Sequence, residues 1–222
     1  MTAPGFPCDG SITRLPGPAG EIEVLLACPA PEAARAVTAV ICHPHSLHGG
    51  SLHNKVVHML ARALGELGAR TVRFNFRGVG ASGGSYDRGI GETDDLRAVV
   101  EWARARRPDD ALWLAGFSFG AYVAARAAAR LPVAQLVSVA PPVAMYDFAA
   151  LPRPACPWLV VQGDADEVVA YGDVERWAAA LVPPPRLTVV PGAGHFFHRQ
   201  LNDLKQALVE ALAPAVPARA SD

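Results

Sequence analysis

The 222-residue chain predicts an α/β fold, an open, mostly parallel and doubly wound sheet of about eight strands. Three observations predict it. Short β-branched or apolar runs alternate with helix-period segments along the chain. The runs are apolar on both faces, as parallel strands covered by helices on both sides must be. Five helical segments are too few to give each strand of an eight-stranded barrel its helix, and the chain is shorter than the ~250 residues typical of that barrel. No repeat or low-complexity linker divides the sequence, so residues 1–222 are expected to form a single domain.

The elements follow in order. "SITRLPGPAGEIEVLLACP" reads as a hairpin with the Gly/Pro cluster as its turn. "AVTAVICH" is the first buried strand, and "NKVVHMLARALGELG" the helix after it, closed at Gly68. "ARTVRFNF" follows, then the helix "ETDDLRAVVEWARARRP", with acidic residues at its start and Pro108 as its stop. Strand "ALWLAGF" runs straight into helix "FGAYVAARAAARLP", which stops at Pro132. Strands "AQLVSVA", "PWLVVQG" and "RLTVVPG" and helices "DVERWAAALVPP" and "LNDLKQALVEALA" complete the chain.

Composition excludes several classes. The chain is 51% hydrophobic and 18% charged, with 20 basic residues against 21 acidic, which gives no electrostatic reason to expect nucleic acid or an anionic membrane as a partner. The opening "MTAPGFPCDGSITRLPG" has no basic stretch followed by an apolar one, and no apolar run approaches the ~18–20 residues of a membrane span. Cys8, Cys28, Cys42 and Cys156 show no C-x-x-C spacing and read as buried free thiols, which suits a cytoplasmic protein.

Gly116-Phe117-Ser118-Phe119-Gly120 carries the chemistry. It matches G-x-S-x-G between a strand and a helix, where a very tight turn projects the Ser118 hydroxyl above the sheet. The glycines leave room for close backbone, and the helix aims its first N–H groups at a developing anion. The rival reading is a helix N-cap serine. A serine nucleophile needs a base, and the base an orienting acid. The ends of later strands supply candidates: Asp164 and Asp166 after "PWLVVQG", and His195 after "RLTVVPG".

In these motifs the chain resembles the α/β-hydrolases over nearly its whole length. The family's acid commonly sits in G-x-x-D-x-x-V, matched by Gly163 to Val169, so the resemblance implies Asp166 with Asp164 as rival. Its histidine commonly follows G-x-G, matched by Gly192-Ala193-Gly194-His195, with His198 the weaker alternative. Serine at the elbow sets the chain apart from haloalkane dehalogenases and epoxide hydrolases of this fold, which use aspartate there.

"HPHSLHGGSLHN", residues 43–54, holds His43, His45, His48 and His53 and invites a metal reading, since H-x-H runs at strand ends look like metallo-β-lactamase-type or amidohydrolase loops. Leu47 stands where the metallo-β-lactamase pattern has aspartate, and no second ligand run completes a site, so no metal is expected. In the hydrolase family this loop gives the second oxyanion donor. Pro44 lacks an N–H, so the implied pair is the backbone N–H of His45 (or Ser46) and of Phe119, with His43 bracing the loop. "GVGASG", residues 78–83, imitates a dinucleotide-binding turn, but no helix opens on its glycines, and the family has an R-G-x-G-x-S-x-G turn there.

The resemblance implies a serine hydrolase without cofactor, a carboxylesterase on small-molecule acyl substrates. Thioester, amide and acyl-transfer chemistry, or a non-catalytic binding protein, are the alternatives. Residues 141–156 are too few for a lid domain of several helices. Leu47, Met145, Tyr146, Phe148 and Phe196 are the expected apolar pocket residues. Oligomeric state is not legible.

Overall fold

The computed structural model describes residues 6–8 and 10–218. The first five residues, part of the stretch read for a leader, lie outside the described residues. Strands β1 (Ile12–Gly17) and β2 (Gly20–Ala27) form the expected antiparallel hairpin. Then come β3 (Val37–Cys42), α1 (Lys55–Glu66), β4 (Arg70–Phe74), α2 (Ile90–Arg106), β5 (Ala111–Phe117) and α3 (Phe119–Ala128). β6 (Gln135–Val139), β7 (Trp158–Gly163), α4 (Tyr171–Ala180), β8 (Arg186–Val190) and α5 (Leu201–Leu212) complete the order. The sheet has eight strands in the order β1-β2-β4-β3-β5-β6-β7-β8, parallel from β4 onward, with β2 antiparallel to both neighbours.

The two-sided apolarity of the strands has its cause in two cores. In β3, Val37, Ala39 and Ile41 face α1 and α5, while Val40 and Cys42 face α2 and α3. Val56, Val57 and Leu60 of α1 and Leu204 and Leu208 of α5 fill the first layer. Leu96 and Val99 of α2, Val123 of α3 and Val174 of α4 fill the second. Among the described residues no helix is long and apolar enough to cross a membrane. Between β6 and β7 the chain forms turns only, so no lid covers the carboxyl ends of the parallel strands.

The cysteines differ from expectation. Cys8 and Cys28 form a disulfide with Cα atoms 5.3 Å apart, while Cys42 and Cys156 are free and buried. The hairpin is the reason: its register, Ile12 opposite Leu25, runs outward to bring Cys8 beside the end of β2. The cysteines therefore give no argument for a reducing compartment.

Candidate active site

Ser118 fills the one-residue step between β5 and α3 at φ 53° and ψ −121°, a left-handed backbone that a side chain adopts only under constraint. Its N–H donates to the Val139 carbonyl at 2.9 Å, and its carbonyl accepts from Ala121 N–H at 2.8 Å. The flanking glycines are there for contact. A Cβ on Gly116 would sit 2.2 Å from the Gly120 carbonyl oxygen, and one on Gly120 would sit 2.4 Å from that of Cys42. Nothing larger than glycine lets α3 start so close to β3.

Two later strand ends converge on this serine. His195 Nε2 is 3.1 Å from Ser118 Oγ, and His195 Nδ1 is 2.9 Å from Asp166 Oδ2. With the proton on Nδ1, where the carboxylate holds it, Nε2 offers its lone pair to the serine hydroxyl. Asp166 Oδ1 accepts from the N–H groups of Val168 (2.9 Å) and Val169 (2.7 Å). Burial pushes the Asp166 carboxyl up, but hydrogen bonds from His195 and from Val169 and Val168 outweigh it and hold the group below its ordinary value. Asp164 is elsewhere: exposed, with Oδ1 accepting from Gly192 N–H at 2.5 Å in the turn after β8. His198 is also exposed, its ring 5.8 Å from that of Phe196.

Two residues beside this array went unnoticed in the sequence. Gln162, fully buried at the end of β7, donates from Nε2 to Asp166 Oδ2 at 2.9 Å and to the Val169 carbonyl at 3.0 Å. A polar residue in the otherwise apolar "LVVQG" was the available signal. Glu167 Oε2 accepts from the His195 backbone N–H at 3.1 Å and fixes the turn that carries the imidazole.

The histidine loop behaves as a brace and a wall. His43 is fully buried, and its Nε2 accepts from Phe76 N–H at 3.0 Å, so Nδ1 carries the proton and donates to the Pro44 carbonyl at 2.6 Å. Burial lowers its pKa to about 4, partly offset by the Pro44 bond. His45 accepts at Nδ1 from Leu47 N–H (3.2 Å) and stacks on His48, with ring centroids 4.6 Å apart. Among the described residues, neither His45 N–H nor Phe119 N–H donates to a protein acceptor. His45 and Phe119 line the cavity above Ser118; Ser46 does not. Among the described residues no group of three His, Cys, Asp or Glu side chains is placed to hold a metal ion.

The cavity measures about 710 Å³, and Met145, Tyr146 and Phe196 line it together with Tyr86, Arg88 and Val168. Leu47 is a correction: it is 68% exposed and outside the cavity, because the short turn Ser46–His48 aims it at solvent. Phe148 is another, buried between Tyr122 and Trp177 instead of forming a wall. The glycine-rich turn is filled by protein. A Cβ on Gly80 would lie 2.3 Å from Glu23 Oε2, Ser82 Oγ bonds the Asn75 carbonyl at 2.8 Å, and Arg77 pairs with Asp95 at 2.8 Å.

Comparison with known proteins agrees with this architecture. A family model described as alpha/beta hydrolase fold matches residues 40–155. A crystal structure from Xanthomonas campestris, described as an α/β serine hydrolase without lid, superposes with a TM-score of 0.93 at 53% identity, covering 98% of this chain and 100% of its own. An α/β serine hydrolase homologue from Coxiella burnetii gives 0.91 at 49% identity over 94% of this chain and 100% of its own. An uncharacterised protein of Rickettsia prowazekii is 33% identical over 206 residues, 88% of this chain and 86% of that protein.

Proposed function

Since the chain belongs to the α/β-hydrolase fold family, we propose that it is a carboxylesterase acting on small acyl esters through Ser118, His195 and Asp166. Ser118 Oγ attacks the acyl carbonyl while His195 Nε2 takes its proton. Asp166 keeps the imidazole in the tautomer with Nδ1–H and stabilises the imidazolium that forms. The N–H groups of His45 and Phe119 receive the oxyanion of the tetrahedral intermediate. Collapse expels the alcohol, which takes the proton from His195. Water, deprotonated by the same imidazole, then attacks the acyl-enzyme and releases the acid.

The observation that carries the proposal is the continuous contact from Ser118 Oγ through His195 to Asp166, at 3.1 and 2.9 Å, at the floor of an open cavity. The test is covalent labelling and turnover. A fluorophosphonate should attach stoichiometrically to Ser118, and Ser118→Ala should lose both the label and nearly all hydrolysis of an activated ester, on the order of 10⁶-fold. A folded wild-type protein that neither labels nor turns over is a binding protein, and the proposal fails.

A further inference from the structure

Arg88 is held in a conformation that needs explanation. It lines the same cavity as Ser118, is solvent-exposed, and has φ 54°. A non-glycine residue persists there only where its surroundings over-determine it. Here a fully buried carboxylate does so: Glu92 accepts from Asp87 N–H at 2.8 Å and from Gly89 N–H at 2.7 Å, one residue either side of Arg88. Thr93 Oγ1 donates to the Gly89 carbonyl at 2.6 Å, and a Cβ on Gly89 would meet the Tyr122 ring at 2.9 Å. The backbone is clamped while the guanidinium makes no ion pair or hydrogen bond among the described residues. The neighbouring acid is occupied, since Asp87 Oδ2 accepts from Gly91 N–H at 3.0 Å and lies 4.0 Å from Arg77. Among the described residues the cavity lining contains no Asp or Glu.

The polarity of the groove assigns the half of the substrate concerned. A departing alcohol takes its proton from His195, whose ring packs on Phe196, and beyond Phe196 opens a smaller annexe of about 330 Å³. The Arg88 loop lies on the other flank, packed on Phe119 and Tyr122 through Gly89. Tyr86, Phe119 and Tyr146 stand on that flank, with Phe119 5.7 Å from Tyr86 and 5.4 Å from Tyr146 between ring centroids, and they offer an acyl chain a wall leading towards Arg88.

We propose that Arg88 is a specificity-determining residue and that the substrates are esters whose acyl part ends in a carboxylate. This rests on the esterase reading. The ester C–O bond breaks as Ser118 Oγ bonds the acyl carbon; water then releases a dicarboxylic acid, with the alcohol as the other product. Guanidinium matches a carboxylate with two parallel N–H donors, and the apolar wall between serine and arginine suits a methylene spacer.

The test compares mono-4-nitrophenyl adipate with 4-nitrophenyl hexanoate, equal in carbon number, with the glutarate and pimelate half-esters bracketing the span. Wild type should favour the best half-ester by about tenfold or more in kcat/KM, as expected for a charge-assisted pair. Arg88→Gln should bring that ratio near one, and Arg88→Glu should invert it. A wild type without preference, or a preference that survives Arg88→Glu, overturns the proposal. So does a preference for a carboxylated leaving group that vanishes in Lys55→Gln, which would put the charge in the annexe. If neither ester turns over, the esterase reading has failed by itself. Calorimetry on Ser118→Ala then decides the role of Arg88: monomethyl adipate should bind about tenfold tighter than methyl hexanoate, and equal affinities would reject it.

Discussion

Asp164 and Asp166 stand two residues apart on one turn, and their surroundings give them different work. Asp166 is buried, touches the imidazole at 2.9 Å and receives two backbone N–H groups and the Gln162 amide. Asp164 ties down the Gly192 N–H at the surface. Asp166→Asn removes the acceptor that selects the Nδ1–H tautomer, and activity on an activated ester should fall on the order of 10⁴-fold. Asp164→Asn keeps an acceptor oxygen for Gly192 and should change kcat/KM by no more than a few-fold, an estimate in line with other exposed polar substitutions. Steady-state kinetics of the two purified variants checks the assignment, and a reversed order of effects would sink it. The α/β-hydrolase resemblance implied Asp166 through its G-x-x-D-x-x-V pattern, while position on a strand-end turn alone left Asp164 an equal candidate. Gln162 left only the signal of a polar residue in an apolar strand, because its bonds to Asp166 and the Val169 carbonyl form only when the turn after β7 folds back on the strand end.

The loop after β3 joins the buried core to the site through one imidazole. His43 spans from the Phe76 N–H to the Pro44 carbonyl and so sets the path into His45. Its folded pKa is about 4, against about 6.5 for an exposed histidine. The folded value is the depressed one, so unfolding takes up a proton between these limits. The stability contribution is complete above pH 6.5 and is lost as pH falls through 4. The two values differ by an amount worth about 3 kcal/mol at 1.36 kcal/mol per pK unit. Urea unfolding across this window should show that decline in wild type. His43→Gln, less stable at neutral pH, should show a slope smaller by up to one proton; an unchanged slope would mean that the imidazole is not the group responsible. The strands and helices around this loop were readable as two-sided apolar runs and amphipathic segments. The direction of the Ser46–His48 turn was not, since it depends on the bond from Leu47 N–H to His45 Nδ1, and Leu47 accordingly faces water.

At the scale of the molecule, legibility followed locality. The succession of strands and helices, the hairpin and the absence of a lid follow from run lengths and connection lengths, whereas the strand order depends on how the assembled sheet pairs. The Cys8–Cys28 pair and the clamped Arg88 depend on contacts that only the assembled hairpin and the buried Glu92 create. The short connection between β6 and β7 leaves the site roofless, and this has a measurable consequence. Met145 is 58% exposed, Phe196 44% and Val168 41%, so the walls that meet a substrate are themselves half in water. Each methylene fully buried contributes ~0.8 kcal/mol, about fourfold in kcat/KM. Half-exposed walls return only part of that, and a chain that outgrows them gains nothing more. In a series of unsubstituted 4-nitrophenyl esters, kcat/KM should rise with acyl length only to about six carbons by this estimate and then level or fall. With no lid to open at a lipid surface, the rate should not jump when substrate passes its solubility limit. An optimum at palmitate, or such a jump, would mean that the cavity closes over its substrate in a way that the exposed side chains of Met145, Val168 and Phe196 do not provide.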